Sequence, residues 1–407
     1  MSIFDGQLCI QAAAASGTEA VLKRELASLG YSPRGAEYGR ICFEGTMRDV
    51  ARANVFCRTA GRVRIVVAEF EAHTFDELFE RTREIRWQDV VPRDGALVVT
   101  AKSIKSKLFS LSDIQSIVKK AAATALCEAY SVPRLAETGA TYSVEAAVVN
   151  DKVTLALDTS GAGLHKRGYR VYLGEAPIRE TLAASIIMLS VWNRDRAFAD
   201  PFCGSGTLPI EAALIATDTA PGLKRSFAFE EFANAPEVVS SVREEARALI
   251  NRSAKLRIRG SDVNPAAVKL AMKHAERAGV ADMIHLQVAD MRTFSSRYAH
   301  GVVVTNPPYG ERLMNEDELK VLYRDFGETF SRLDEWSAYV ITSYRAFEKY
   351  FGRRADKVRR LYNSELECNL YTFLGAPPAK TRAPYAEQDK NEVFADAVTC
   401  ADDKGEI

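Results

Sequence analysis

An asparagine, two prolines and a tyrosine stand in succession, Asn306-Pro307-Pro308-Tyr309, at the end of an apolar run. The prolines fix the backbone and remove two N–H donors, which leaves the carbonyls before them free to accept. Asn306 adds a side-chain oxygen and Tyr309 a flat ring. An exocyclic amino group on a nucleobase needs this set: two acceptors for its N–H bonds and an aromatic face for its ring. Those bonds orient the nitrogen lone pair toward a methyl donor.

A second cluster lies about a hundred residues upstream, in AFADPFCGSGTLPIEAALIA, residues 197–216. Asp200 ends a strand, a Gly-rich turn holds Gly204, Ser205, Gly206 and Thr207, and an apolar helix follows. Glycines let the backbone approach a ligand closely and adopt positive φ. The helix start offers free N–H groups to an anionic moiety. The turn lacks the Gly-Lys-Ser/Thr ending of a Walker loop, and Pro209 stands where a dinucleotide fingerprint needs its third glycine. Two further acids sit at strand ends. Asp262, in RGSDVNP, can take both hydroxyls of a ribose. Asp290, in QVADMRTF, can accept from an adenine amino group. Either alone reads as a helix cap or a solvated loop acid. Together beside the glycine turn they read as a nucleoside-binding set.

The elements around these residues alternate strand and helix. Strands are expected at 196–200, 257–262, 284–290, 301–305, 337–342 and 366–374, and helices at 207–216, 265–278 and 319–333. That order means a doubly wound α/β fold with a mainly parallel sheet and ligands at its carboxyl ends. About 62 residues separate Asp200 from Asp262, where a plain β-α-β unit needs roughly 20; the excess is an insertion at 220–251. Upstream, residues 1–65 read as a compact α+β module. Residues 66–160 read as a second one, closing on a hairpin at Asn150-Asp151. The Gly-rich, basic stretch from residue 160 to 177 reads as a linker. Residues 161–385 form the α/β domain, and residues 386–407 read as a disordered acidic tail.

Composition excludes several classes. The 407 residues suit two or three domains, and 47% hydrophobic with 27% charged is an ordinary globular balance. The seven cysteines are scattered without a CxxC pair, against both a disulfide framework and a thiolate metal site. No basic segment precedes an apolar stretch at the start, and no apolar run is long enough to span a membrane. A reduced, cytoplasmic chain is the expectation. The formal net charge is zero, so a nucleic-acid partner has to be met by local patches. Residues 81–120 carry nine basic residues against four acids, among them Lys102, Lys105 and Lys107 with Phe109 nearby. Lys166 and Arg167 lie in the linker, and residues 345–382 carry another nine against four. Such patches position RNA through its phosphates.

The motifs together resemble a known family. Asp200–Thr207, Asp262, Asp290 and Asn306–Tyr309 are similar to the motifs of class I S-adenosylmethionine-dependent amino-methyltransferases. GLHKRGYRVYLGEAPIRETLAASIIMLSVW (163–192), APGLKRSFAFE (220–230) and NPPYGERL narrow the likeness to the THUMP-domain methyltransferases of the RlmL type, which modify guanine N2 in bacterial 23S rRNA. The resemblance implies a ferredoxin-like first module, a THUMP RNA-binding second module and a Rossmann-like methyltransferase domain. It implies S-adenosylmethionine as cofactor and ribosomal RNA, free or in a precursor particle, as partner. Thr181, Asp200, Phe202, Gly204, Ser205, Gly206, Thr207, Asp262, Asp290, Met291 and Asn306 become the expected cofactor set. Asn306, Pro307, Pro308 and Tyr309 become the catalytic set, and the chemistry calls for no metal. Lys102, Lys105, Lys107, Lys166 and Arg167 are the expected RNA contacts. Three rivals remain: an N6-adenine methyltransferase, an RNA-binding assembly factor without catalysis, and a nicotinamide-dependent oxidoreductase. The intact acids, glycines and Asn306 argue against the second, and Pro209 with Asn-Pro-Pro-Tyr against the third.

Overall fold

The computed structural model describes residues 3–170, 178–232, 235–309, 315–333 and 335–378. The expected acidic tail lies outside them. The N-terminal part runs β1 (Leu8–Ala13), α1 (Glu19–Ser28), β2 (Arg40–Gly45), α2 (Met47–Phe56), β3 (Arg62–Glu71), α3 (Phe75–Arg83), β4 (Ala96–Ile104), α4 (Leu111–Tyr130), β5 (Thr141–Val149) and β6 (Lys152–Asp158). Its six strands make one sheet in the order β2-β1-β3-β6-β5-β4. Neighbours are antiparallel except β4 and β5. β3 bonds to β1 through Arg62–Ile65 on one edge and to β6 from Arg64 to Glu71 on the other. One strand therefore serves both expected modules, and a boundary at 65/66 falls inside it.

The second part contains α5 (Glu180–Leu189), β7 (Phe198–Asp200), α6 (Thr207–Ala216), α7 (Ala235–Ala248), β8 (Ile258–Asp262), α8 (Pro265–Ala278), β9 (Ile284–Val288), β10 (Val302–Thr305), α9 (Glu316–Ser331), β11 (Ser337–Thr342), α10 (Phe347–Phe351), β12 (Lys357–Asn363) and β13 (Leu366–Phe373). The sheet order is β12-β13-β11-β10-β7-β8-β9. Strands β9, β8, β7, β10 and β11 are parallel, and β13 runs against β11 and β12. Alternation along the strands feeds two cores. Phe198, Val302, Val304, Tyr339 and Ile341 face the side covered by α5, α6 and α8. Ala199, Val303, Ala338 and Val340 face the side covered by α9 and α10. Local signals place the helices. α8 begins with Asn264 accepting from Ala266 and Ala267 N–H, has Pro265 first, and stops at Gly279 at φ 81°.

The insertion is not an ornament of the second sheet. Phe227, Phe229, Phe232, Val239, Val242 and Ala246 belong to the core of the N-terminal part. Phe232 stacks on Tyr142 at 4.5 Å, and Arg48 and Arg52 of α2 pair with Glu245 of α7. The expected linker is likewise tied down. Arg225 donates to the carbonyls of Ser160, Ala162, Gly163 and Lys166 at 2.5–3.1 Å. Residues 171–177 of that stretch lie outside the described residues.

Candidate active site

The sheet reverses its winding direction between β7 and β10, so a crevice opens over their carboxyl ends. The predicted residues gather there. After β7 the chain turns tightly, with Gly206 N–H donating to the Cys203 carbonyl at 2.8 Å. Gly204 and Gly206 both have positive φ, 50° and 84°. A side-chain carbon at Gly206 would come within 2.9 Å of Ala271, so that glycine lets α8 close on the loop. At Gly204 the same carbon meets nothing within 4 Å among the described residues, which leave open space over the loop there. The Ser205 carbonyl is held by Nδ1 of His274, a wholly buried ring at 3.0 Å whose burial lowers its pKa.

Asp262 closes the loop from β8. Its Oδ2 accepts from Gly204 N–H at 2.9 Å and its Oδ1 from Asn264 N–H at 2.9 Å. A carboxylate has about four lone-pair sites, so capacity remains for a vicinal diol. Asp290 accepts from Arg292 N–H through Oδ1 at 2.8 Å and pairs with its guanidinium through Oδ2 at 2.9 Å. Arg292 is pinned in turn by Asp325 at 2.6 Å. Met291 is buried beneath this turn.

Asp200 is placed differently from a surface ligand. It is 2% exposed, and its Oδ1 accepts from Thr305 Oγ1 at 2.6 Å and Phe202 N–H at 3.2 Å. Through Thr305 it fastens β7 to the end of β10. Burial pushes its carboxyl up to about 7, against the lowering by Thr305. Phe202 rests its edge on Phe326 at 5.2 Å. Thr207 accepts from Arg170 at 2.6 Å, and Arg170 pairs with Glu180 at the start of α5, beside the buried Thr181.

Asn306-Pro307-Pro308-Tyr309 follows β10 across the crevice. Asn306 Oδ1 is buried and has no hydrogen-bond partner among the described residues. Tyr323, fully buried in α9, donates to the Pro308 carbonyl at 2.6 Å and so fixes the turn. Tyr309 is partly buried. Its phenol has hydrogen-bonding neighbours in Asn363, Cys368 and Asn306, and burial, then Cys368, push it up to about 12. Gly310 to Met314 lie outside the described residues. Reading the sequence missed Thr305, His274, Tyr323 and Asn363, all of which hold the predicted residues in place.

The basic residues divide. Lys102, Lys105, Lys107 and Lys166 are exposed, and Phe109 is 79% exposed beside the first three. Arg167 is not available to RNA. It is 4% exposed, faces Glu211 of α6 at 3.5 Å and donates to the Leu164 and Arg58 carbonyls. That expectation is corrected: a charge inside an apolar helix, Glu211, draws Arg167 inward. Among the described residues no helix is long and apolar enough to cross a membrane, and no His, Cys, Asp or Glu cluster could hold a metal.

Family models match three stretches: an RlmL ferredoxin-like domain over residues 10–64, a THUMP domain over 72–158 and an RMKL-like methyltransferase domain over 167–372. The chain is 42% identical over 365 residues to a putative RNA methyltransferase, YpsC, of Bacillus subtilis (strain 168), covering 89% of this chain and 94% of that one. It is 32% identical over 375 residues to the ribosomal RNA large subunit methyltransferase K/L of Shewanella baltica (strain OS195). That match covers 89% of this chain and 52% of the relative, so the chain spans about half the length of the K/L protein. The solved structure of SMU.472, a putative methyltransferase complexed with SAH, is 41% identical with a TM-score of 0.86, covering 91% of this chain and 99% of that one.

Proposed function

This chain belongs to the RMKL-like methyltransferase family, with S-adenosylmethionine as its methyl donor, and we propose that it methylates the N2 amine of a guanine in 23S ribosomal RNA. The observation that carries the amine reading is the buried Asn306 Oδ1 at the end of β10, which has no partner among the described residues. An unpaired buried acceptor costs about 1–3 kcal/mol, and an incoming amino group relieves that cost. RNA is favoured over DNA by the THUMP domain and by the exposed lysines with Phe109.

The crevice fits the cofactor. Gly204 leaves open space, Asp262 keeps acceptor capacity for the ribose, and Asp290 lies at the neighbouring strand end for the adenine. Gly204, Ser205, Gly206 and Thr207 bring the start of α6 toward the methionine end, with Thr181 alongside. S-adenosylmethionine supplies a methyl group on a positively charged sulfur. The chain's part is positioning. Asn306 Oδ1 and the Pro307 carbonyl accept the two N–H bonds of the amine, which turns its lone pair toward the methyl. Tyr323 holds the Pro-Pro turn rigid. Tyr309 supplies the ring beside the base. The target base leaves its stack to enter; its nitrogen would form the new C–N bond as the methyl–sulfur bond breaks, the electron pair staying on sulfur, and would shed a proton to solvent.

Mass mapping of modified nucleosides in rRNA, from cells with and without this gene, tests the assignment. Loss of an N2-methylguanosine from 23S rRNA is expected. Loss of an N6-methyladenine instead overturns the guanine reading and keeps the amine reading. With purified protein, Asn306→Ala lowers turnover about 100-fold or more with near-normal SAH affinity. Tyr309→Phe is mild and Tyr309→Ala lies between. Full turnover by Asn306→Ala overturns the amine reading itself.

A further inference from the structure

A row of aromatic rings leads out of the active site. Tyr323, whose hydroxyl holds the Pro308 carbonyl, has its ring centroid 5.6 Å from that of Tyr344. Tyr344 lies just beyond the carboxyl end of β11, and its ring is 6.2 Å from Tyr350 in α10. Tyr323 is fully buried, whereas Tyr344 and Tyr350 are partly exposed at the rim of the α9–α10 core. Arg345 and Lys349, both exposed, flank the two outer rings, and the Lys349 ammonium sits 5.5 Å over the Tyr350 ring. Neither cation has an ion-pair partner among the described residues. Two acids are close: Glu316 meets the Tyr344 hydroxyl at 3.5 Å, and Glu348 accepts from Ala355 N–H at 2.7 Å. Both carboxylates thus have partners.

A ring that only seals a core has no use for an exposed face bordered by unpaired cations. Single-stranded nucleic acid is recognised by that combination: a π-face for each unstacked base and a cation for the phosphates between them. We propose that Tyr344 and Tyr350, with Arg345 and Lys349, form a stacking platform for bases of the single-stranded RNA flanking the target nucleotide. The inference rests on the RNA reading above. It adds a surface on the catalytic domain, separate from the lysines of the THUMP domain. A base lifted from its helix leaves neighbours unstacked, and a platform directly connected to the acceptor turn holds them there. The buried Tyr323 makes the connection: it bonds the turn at one end and packs against the first platform ring at the other.

The test is binding of a short fluorescein-labelled single-stranded RNA of mixed sequence to the full chain. Tyr350→Ala and Tyr344→Leu are each expected to weaken binding about tenfold, while Tyr350→Trp restores it. Arg345→Ala with Lys349→Ala flattens the salt dependence, with a change in log–log slope of about 1.4 for two lost phosphate contacts to a single strand. SAH affinity by calorimetry stays at the parent value in every variant, which shows that the fold is intact. RNA carrying 5-iodouridine is expected to crosslink to Tyr350 or Tyr344. If the parent takes up no RNA, the RNA reading fails and the platform with it. If the parent binds while Tyr350→Ala binds as tightly and neither tyrosine crosslinks, the platform alone is overturned.

Discussion

Gly204 and Gly206 stand two residues apart, both at positive φ, yet an added methyl acts differently at each. At Gly206 the new carbon lies 2.9 Å from the Cβ of Ala271 and 3.3 Å from its Cα, inside the α6–α8 contact. The left-handed backbone costs a non-glycine residue about 1–2 kcal/mol, and overpacking adds about 1–3 kcal/mol. Gly206→Ala should therefore lose roughly 2–5 kcal/mol of stability, read by urea unfolding. At Gly204 φ is 50° and none of the described residues comes within 4 Å of the added carbon. Only the backbone term applies, so Gly204→Ala should lose about 1–2 kcal/mol. Its methyl enters the space assigned to the cofactor, where overpacking of about 1–3 kcal/mol weakens SAH about 5- to 150-fold. Calorimetry with SAH and unfolding curves without it separate the two effects. Parent-like SAH affinity in Gly204→Ala would show that the open space over that glycine is not where the cofactor lies.

Two further outcomes follow from the same geometry. Burial raises the Asp200 carboxyl from 3.8 to about 7, so the folded state favours its neutral form. Its stability contribution is complete below pH 3.8 and is lost as pH rises through about 7, on the order of a few kcal/mol. Parent stability in urea should accordingly fall relative to Asp200→Asn between those values, and a pH-independent difference would refute the shift. Replacing the exposed Lys102, Lys105 and Lys107 together by alanine should weaken RNA binding evenly across sequences and flatten its salt dependence, with SAH affinity unchanged. An unaltered slope would leave these lysines as a solvated face.

What the sequence revealed depended on whether a local signal existed. Thr207–Ala216, Pro265–Ala278 and Ser337–Thr342 match the expected bounds, because a glycine turn, an Asn-Pro start or a continuous apolar run marks each. β12 went unread, since Lys357–Asn363 shows charge more plainly than alternation, and its terminal Asn363 reaches both Arg179 N–H and the Tyr309 phenol. α5 went unread because it is apolar and buried nearly all round, with no amphipathic period to find. Arg167 was misplaced because a basic run looks the same exposed or buried. The missed signal was in its partner: Glu211 is the one acid of TLPIEAALIA, and an acid in so apolar a helix needs a buried cation. His274 could have been found too. It shares the apolar face of α8 with Val268, Ala271, Ala275 and Ala278, so its ring points to the loop that it holds.

The insertion shows what no local signal could reveal. Its length was evident from the Asp200–Asp262 spacing, but its packing partner lies far earlier in the chain. Phe229 and Phe232 join a core that β1, α2, β3 and β5 also line. Arg58, after α2, donates to the Thr219 carbonyl at 2.9 Å, and Gly222 approaches so near Val55 that a side-chain carbon would come within 2.6 Å of its Cα. Nearby, Glu25 of α1 accepts from Arg58 and Thr59 N–H, while the Arg58 carbonyl meets Arg167, which faces Glu211. Glu211 sits one helical turn after the glycine loop. A continuous chain of buried polar contacts thus runs from α1 of the N-terminal part to α6, the helix that follows the glycine loop. A tether would leave the relative placement of the two sheets to the linker. Here packing and buried charge set it.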